Sequence, residues 1–123
     1  MNQVAQLKKN LMEDLELCKE EAEIFLALIE EGKTSSEDFK KKLDCTTEEM
    51  LENCKRLEQK GMVIEINKNE FQVLHPRFAI VNRYRRICAE KNVQFKKNIK
   101  IDNIGIMLER YQDKNKNIDA RAK

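Results

Sequence analysis

Apolar side chains in residues 1–60 recur every three or four positions, which is the spacing of an amphipathic helix. The first stripe, in residues 4–17, consists of Val4, Leu7, Leu11 and Leu15. A stronger stripe in residues 19–31 predicts a second helix, and Gly32 follows it where a C-terminal cap belongs. The chain is therefore predicted to begin with two helices.

Two further helices are predicted from their capping signals. Ser35 and Thr46 each have an acidic residue three positions later, which is the capping-box pattern. We expect a short helix over residues 35–43 and a longer helix over residues 46–60. Gly61 ends the longer helix.

The pattern then changes to that of short strands. Residues 62–66 are rich in β-branched side chains, and residues 70–74 alternate between polar and apolar. The turn at residues 67–69 lacks Gly, but the three segments together predict a β-hairpin. Pro76 suits the first turn of the next helix.

Residues 77–113 contain no Pro, and their apolar spacings of three, four and seven predict either one long helix or two helices. In the second case the break lies near Asn92 or at residues 103–105. A long helix beyond the compact part cannot bury its stripe alone, so we expect a partner helix, most simply from a second subunit. The predicted dimerisation residues are Ile80, Tyr84, Ile87, Phe95, Ile99, Ile104, Leu108 and Tyr111.

This order of elements predicts a mainly α fold with a small β-hairpin, arranged as a winged helix-turn-helix with a long C-terminal dimerisation helix. Residues 1–75 are the predicted winged helix-turn-helix domain, and residues 76–113 are the long helical dimerisation segment. Residues 114–123 form a polar tail. The recognition helix is the one over residues 46–60, and the hairpin is the wing.

Three stretches of residues 7–80 resemble the TrmB-like family of archaeal transcriptional regulators. They are "EEAEIFLALIEEGKTSSEDFKKKL", "NCKRLEQKGMVIEI" and "FQVLHP". The Leu-Glu-Gln-Lys-Gly element of the second stretch is also shared by other winged-helix regulators. The resemblance implies a DNA-binding regulator of the short form, which lacks a sugar-binding domain and dimerises through a terminal helix.

The formal net charge of +2 conceals an uneven distribution. Residues 1–60 carry 10 basic and 15 acidic side chains, a net of −5, whereas residues 61–123 carry 14 and 7, a net of +7. The basic half could meet phosphate or an acidic partner. Equally, both halves could be ordinary solvated faces of a chain rich in Lys and Glu.

The expected partners are double-stranded DNA and a second copy of the chain. The predicted DNA-contacting residues are Thr46, Thr47, Asn53, Lys55, Arg56 and Lys68. Possible phosphate contacts are Lys40, Lys41, Lys42, Arg77 and Arg83. We take Met50, Leu51, Cys54 and Leu57 as the inward face of the recognition helix.

The start of the recognition helix departs from what DNA binding favours. With the apolar residues inward, Glu48, Glu49 and Glu52 remain to face outward, and carboxylates are repelled by a phosphate backbone. Glu49 has a second role in the capping box. The glutamates motivate an alternative function, a winged-helix protein-interaction module whose acidic face docks a basic partner in a transcription or chromatin assembly.

Other chemistry finds little support in the sequence. The four cysteines include no Cys-x-x-Cys pair, and His75 is the sole histidine, so we expect no enzyme, metal site or cofactor. Cys54 and Cys88 are predicted core residues, a redox role for cysteines is left open, and so is a small-molecule effector. Without a signal-like or membrane-length apolar run, a cytoplasmic location away from membranes is expected.

Overall fold

The computed structural model describes residues 3–122, without the side chains of residue 37 and of residues 115–122. In this range six helices and two strands form. They are α1 (Gln3–Asp14), α2 (Lys19–Glu31), α3 (Glu37–Lys41), α4 (Thr47–Gln59), β1 (Val63–Asn67), β2 (Glu70–Val73), α5 (Pro76–Glu90) and α6 (Ile99–Ala122). The prediction of a mainly helical fold with a small antiparallel hairpin is confirmed.

Capping explains where α2 and α4 begin and end. The predicted Thr46 capping box is present: the Glu49 N–H donates to the Thr46 hydroxyl at 3.1 Å, and the Glu49 carboxylate accepts from the Thr46 N–H at 3.2 Å. Gly32 and Gly61 end α2 and α4 with φ of 88° and 83°, values that favour glycine. Cys18 caps α2 in the same reciprocal way, which the sequence analysis missed.

The predicted capping box at Ser35 is wrong. Helix α3 begins at Glu37 with Ser36 as its N-cap, and among the described residues Ser36 makes no side-chain cap bond. The cause is tertiary: the Thr34 N–H donates to the Phe71 carbonyl at 2.9 Å, and the Thr34 hydroxyl accepts from the Phe71 N–H at 2.9 Å. This pairing holds the chain before α3 along β2, so the helix starts two residues later than predicted.

The hairpin pairs β1 with β2 in antiparallel register, with Val63 opposite Val73. Asn69 adopts a φ of 60° in the connection, a left-handed conformation that asparagine tolerates. Asn69 thus supplies the left-handed conformation for which glycine is usually needed in such a turn.

Helix α5 ends in a Schellman motif, so the prediction of one continuous helix is wrong and the predicted break near Asn92 is confirmed. Asn92 has a φ of 56°. Its N–H donates to the Ala89 carbonyl at 3.2 Å, and the Val93 N–H donates to the Cys88 carbonyl at 2.8 Å. After this turn the chain reverses, and α6 packs against α5, α2 and α1.

The reversal buries the predicted dimerisation stripe inside the chain's own core. The side chains of Ile80, Ile87, Ile104, Leu108 and Tyr111 are at most 8% exposed. Tyr84 and Phe95 are half-buried against each other, and Ile99 is 72% exposed. The prediction that this stripe needs a second subunit is therefore wrong for the five buried residues.

The same packing joins the two predicted domains. Residues 1–75 and 76–113 contribute to one hydrophobic core, because α6 covers α1 and α2. The Tyr111 hydroxyl donates to the Glu30 carboxylate of α2, and the Lys100 ammonium lies 3.1 Å from the Asp14 carboxylate of α1. The backbone of residues 114–122, predicted as a tail, continues α6, and residue 123 lies outside the described residues.

Candidate nucleic-acid interface

The inward face of α4 differs from the predicted one by one residue. Met50, Asn53, Cys54 and Leu57 are buried, whereas Leu51 is half-buried. Asn53, predicted to contact DNA, is 7% exposed. Its amide donates to the Glu49 carbonyl at 2.9 Å and accepts from the Arg56 guanidinium at 3.3 Å. The prediction for Asn53 is corrected, since its polar atoms are used within the helix.

The N-terminal end of α4 meets the C-terminal end of α3 around a shallow cleft of about 80 Å³. Lys40 lines this cleft together with Thr46 and Thr47. Thr46 is engaged in the cap, where its hydroxyl also lies 3.0 Å from the Glu49 carboxylate. Thr47 is exposed. One basic side chain, Lys40, and one hydroxyl side chain, Thr47, thus line the same cleft.

Three further predicted cations are exposed. Lys55 and Arg56 lie in the second half of α4, and Lys68 lies in the turn of the hairpin. The hairpin also carries carboxylates: Glu65 accepts from the Asn69 N–H at 2.8 Å, and hydrogen bonds from Ser35 and then Asn67 lower the pKa of Glu70. The hairpin therefore presents one lysine between two carboxyl side chains.

The three lysines predicted to contact phosphate differ in their surroundings. Lys40 and Lys41 are exposed at the end of α3. Lys42 lies against Glu30 and 3.3 Å from Glu31; burial acts to lower the pKa of Lys42, but these carboxylates outweigh burial and raise it. A cation held this way stays charged, and phosphate must compete with two carboxylates for it.

The other two predicted phosphate contacts are arginines, and both already interact with groups of the protein itself. Arg77 lies 3.3 Å from the Glu109 carboxylate of α6, although its side chain is half-exposed. Arg83 is 4% exposed, and its Nε donates to the Leu15 carbonyl at 2.9 Å. The prediction that Arg83 contacts phosphate is therefore wrong, because the guanidinium instead satisfies the backbone after α1.

An acidic cleft lies beside the start of α4. Its carboxylates are Glu20 and Glu23 from α2, Asp44 from the connection to α4, and Glu49. Burial and then the neighbouring carboxylates raise the pKa of Cys45, which lies in the same cleft. Glu48 and Glu52 are exposed on α4 as predicted. The sequence analysis missed the α2 contribution, since no local spacing links Glu20 or Glu23 to α4.

The cysteines separate into two classes. Cys54 and Cys88 are buried, as predicted, whereas Cys18 and Cys45 are exposed. Burial raises the pKa of Cys54 to about 12, so its thiol stays protonated. Among the side chains that the structure describes, no group of three or more His, Cys, Asp or Glu could hold a metal ion.

A scan of this chain against protein-family models finds no match, and searches of curated proteins and of solved structures find none either. The resemblance to TrmB-like regulators stays a prediction from the sequence. None of the described helices combines the length and the apolar character that crossing a bilayer requires.

Proposed function

We propose that the protein is a cytoplasmic DNA-binding transcriptional regulator of the TrmB-like type, without catalytic activity, and that it acts as a homodimer through a winged helix-turn-helix. In this proposal α3 and α4 form the helix-turn-helix, α4 is the recognition helix, and β1 and β2 form the wing. The observation that carries the proposal is the cleft that both Lys40 and Thr47 line. It places a cation and a hydroxyl at the N-terminal end of α4, where recognition helices contact DNA.

The exposed cations set the expected strength of DNA binding. Lys42 and Arg77 are exposed as well but are held by carboxylates at 3.3 Å or closer, which leaves Lys40, Lys41, Lys55, Arg56 and Lys68. If all five neutralised phosphates, the logarithm of the binding constant would fall with the logarithm of salt concentration with a slope of about −4.5 per protomer. Glu48 and Glu52 oppose this attraction, so we expect a smaller slope and binding that is strongest at low salt.

Fluorescence anisotropy with a labelled random-sequence duplex tests the proposal. We expect binding at about 50 mM salt and a large loss of affinity by about 200 mM. Lys55→Ala should reduce the salt slope by about one, whereas Lys9→Ala on α1 serves as a control with the same loss of charge. Absence of binding at low salt to random and promoter duplexes would refute the proposal. If binding is observed, selection from a random pool supplies the operator sequence.

The acidic cleft favours a second candidate, a protein-interaction module that docks a basic partner. Four carboxylates surround one recess, and they belong to Glu20, Glu23, Asp44 and Glu49. Glu48 lies on the same end of α4. A lysine-rich segment would complement this charge.

One double variant distinguishes the two candidates. Glu48→Lys/Glu52→Lys changes the charge of α4 by four units and leaves the Glu49 cap intact. DNA affinity should rise if α4 enters a groove. Capture of a labelled lysine-rich peptide should weaken if the acidic cleft is the docking site, because the new lysines on α4 repel the peptide although the four cleft carboxylates remain.

A further inference from the structure

The outer side of the α5–α6 pair contains a half-open cleft of about 340 Å³. Arg77 and Val81 line it from α5, Asp102 and Ile106 line it from α6, and Lys97 borders it just before α6. The two helices lie in contact at Gly105, where a Cβ would meet the Arg77 Cα at 3.4 Å, an ordinary van der Waals distance.

Two large exposed apolar side chains lie within one helical turn of residues that line this cleft. Phe78 is 68% exposed and lies one helical turn before Val81, and Ile99 is 72% exposed and lies one turn before Asp102. Phe78 is held in place by a ring contact with His75, whose centroid lies 5.6 Å away. Large apolar side chains exposed beside a recess are typical of an interaction surface.

We propose that this face, formed by Phe78, Val81, Ile99 and Ile106 around the cleft, is where two copies of the chain meet. The inference deepens the proposed homodimeric function and rests on it. Of these four side chains, Ile99 alone belongs to the predicted stripe. Five other residues of that stripe are buried in the core.

The face is self-complementary in shape, which favours a second copy of the chain as its partner. A two-fold dimer brings the same patch together with itself, so one patch must carry both the projection and the recess. Phe78 is the projection, and the cleft is the recess: a cavity of about 150 Å³ already accommodates benzene, and this one has about 340 Å³.

The charges of the face are self-complementary as well. Lys97 and Asp102 carry opposite signs and border the same cleft. Two-fold symmetry can therefore bring the ammonium of one copy to the carboxylate of the other, twice per dimer. A face with a single sign of charge would repel itself.

Sedimentation equilibrium of the full chain, without DNA, tests the proposal. We expect the wild-type protein to dimerise and Phe78→Glu to raise the dimer dissociation constant roughly a thousandfold, because each dimer loses two buried aromatic anchors. Ile64→Glu is the matched control: Ile64 is 43% exposed on β1 and lies away from this face, so its effect should stay below about threefold. Circular dichroism melting confirms that both variants are folded.

A charge exchange provides a second, independent variant. Asp102→Lys should weaken the dimer because two lysines then meet at each contact, and Lys97→Asp combined with Asp102→Lys should restore it. Restoration would not occur if the single variant acted only by misfolding.

Three results would overturn the proposal. They are a wild-type protein that stays monomeric at about 0.1 mM, a dimer insensitive to Phe78→Glu, and equal sensitivity to Ile64→Glu. A monomer would leave the face to a different partner. Because the assay contains no DNA, an intact dimer that fails to bind DNA contradicts the proposed function and leaves this inference standing.

Discussion

The buried ion pair between α2 and α4 offers the sharpest test of the energetic reasoning. The Glu21 side chain is 3% exposed, and both of its carboxylate oxygens accept from the Lys60 ammonium, at 2.7 and 2.6 Å. The Cys18 N–H donates to the same carboxylate at 2.9 Å. Lys60→Met keeps the aliphatic stem and the helix propensity but removes both charged hydrogen bonds.

The expected cost follows from leaving a carboxylate buried without its cation. Breaking a buried ion pair by removing one partner costs about 3–5 kcal/mol, but Lys60 keeps 23% of its side chain exposed and water reaches part of the gap. We therefore expect the free energy of unfolding to fall by about 2–3 kcal/mol. Lys8→Met is the control, since Lys8 pairs with Glu23 in a largely solvated position and should cost less than about 0.5 kcal/mol.

The pH dependence of the free energy of unfolding provides a second test of the Glu21–Lys60 pair. Burial alone would raise the pKa of Glu21, but the hydrogen bonds from Lys60 and Cys18 outweigh it and lower the pKa. The stabilisation is therefore complete above the unfolded pKa of about 4.3 and is lost as pH falls through the lowered folded pKa. In Lys60→Met the pKa of the Glu21 carboxyl should be higher than in the wild type, because the lowering effect of Lys60 is lost, so protonation at low pH costs the variant less.

Urea unfolding of both proteins at neutral pH and near pH 4 measures this difference. The gap between wild type and Lys60→Met should narrow as the pH falls. A loss below about 0.5 kcal/mol at neutral pH, or a gap that does not change with pH, would refute the reasoning. Adding Glu21→Gln to Lys60→Met should recover part of the loss, because the buried charge is then removed.

Three other expectations concern the helix ends and the thiols. Gly61→Ala should cost about 2 kcal/mol in urea unfolding, since its φ is positive and the new Cβ would lie 2.9 Å from the Arg86 side chain. Thr46→Ala should cost about 1 kcal/mol by thermal or urea unfolding, because it removes the α4 cap bond. With iodoacetamide and mass spectrometry, Cys45 should be alkylated in the native protein, whereas Cys54, with its pKa of about 12, should react only after unfolding.

Each of these expectations has an opposing outcome. A neutral Gly61→Ala would mean that the chain after α4 can rearrange around the extra methyl group. Ser36→Ala is the control for Thr46→Ala, since Ser36 makes no cap bond within the described residues, and an equal loss in both variants would contradict the capping argument. Native labelling of Cys54 at the rate of Cys45 would contradict its burial.

Local signals predicted the secondary structure well because they act within a few residues. A hydroxyl and a glutamate three positions apart satisfy each other at the start of α4 whatever packs around them. Gly32 ends α2 for a similarly local reason, since its positive φ is accessible without strain. Ser35 failed as a cap because a neighbouring residue, Thr34, is engaged by β2 from 37 positions away.

The candidate interface was predicted only in part, because exposure is not a property of a residue type. Asn53 and Arg83 are polar and were assigned to the surface, yet both are buried with their hydrogen bonds satisfied by nearby or distant backbone. Lys55 and Thr47 are exposed because the amphipathic pattern of α4 leaves them outside, and their contact with DNA stays a prediction. The acidic cleft needed the packing of α2 on α4 to form at all.

The helices, the hairpin, the Thr46 cap and the possibility of a break at Asn92 could be predicted from local sequence, because helix periodicity and backbone capping are short-range effects. Only the tertiary structure decided what covers the apolar stripe of residues 80–111. Once the Schellman turn reverses the chain, α6 finds its partners in α1, α2 and α5 of the same molecule. Burial of the stripe depends on which distant segment packs against it. The spacing of apolar residues within the stripe is the same whether that covering segment belongs to the same molecule or to a second copy.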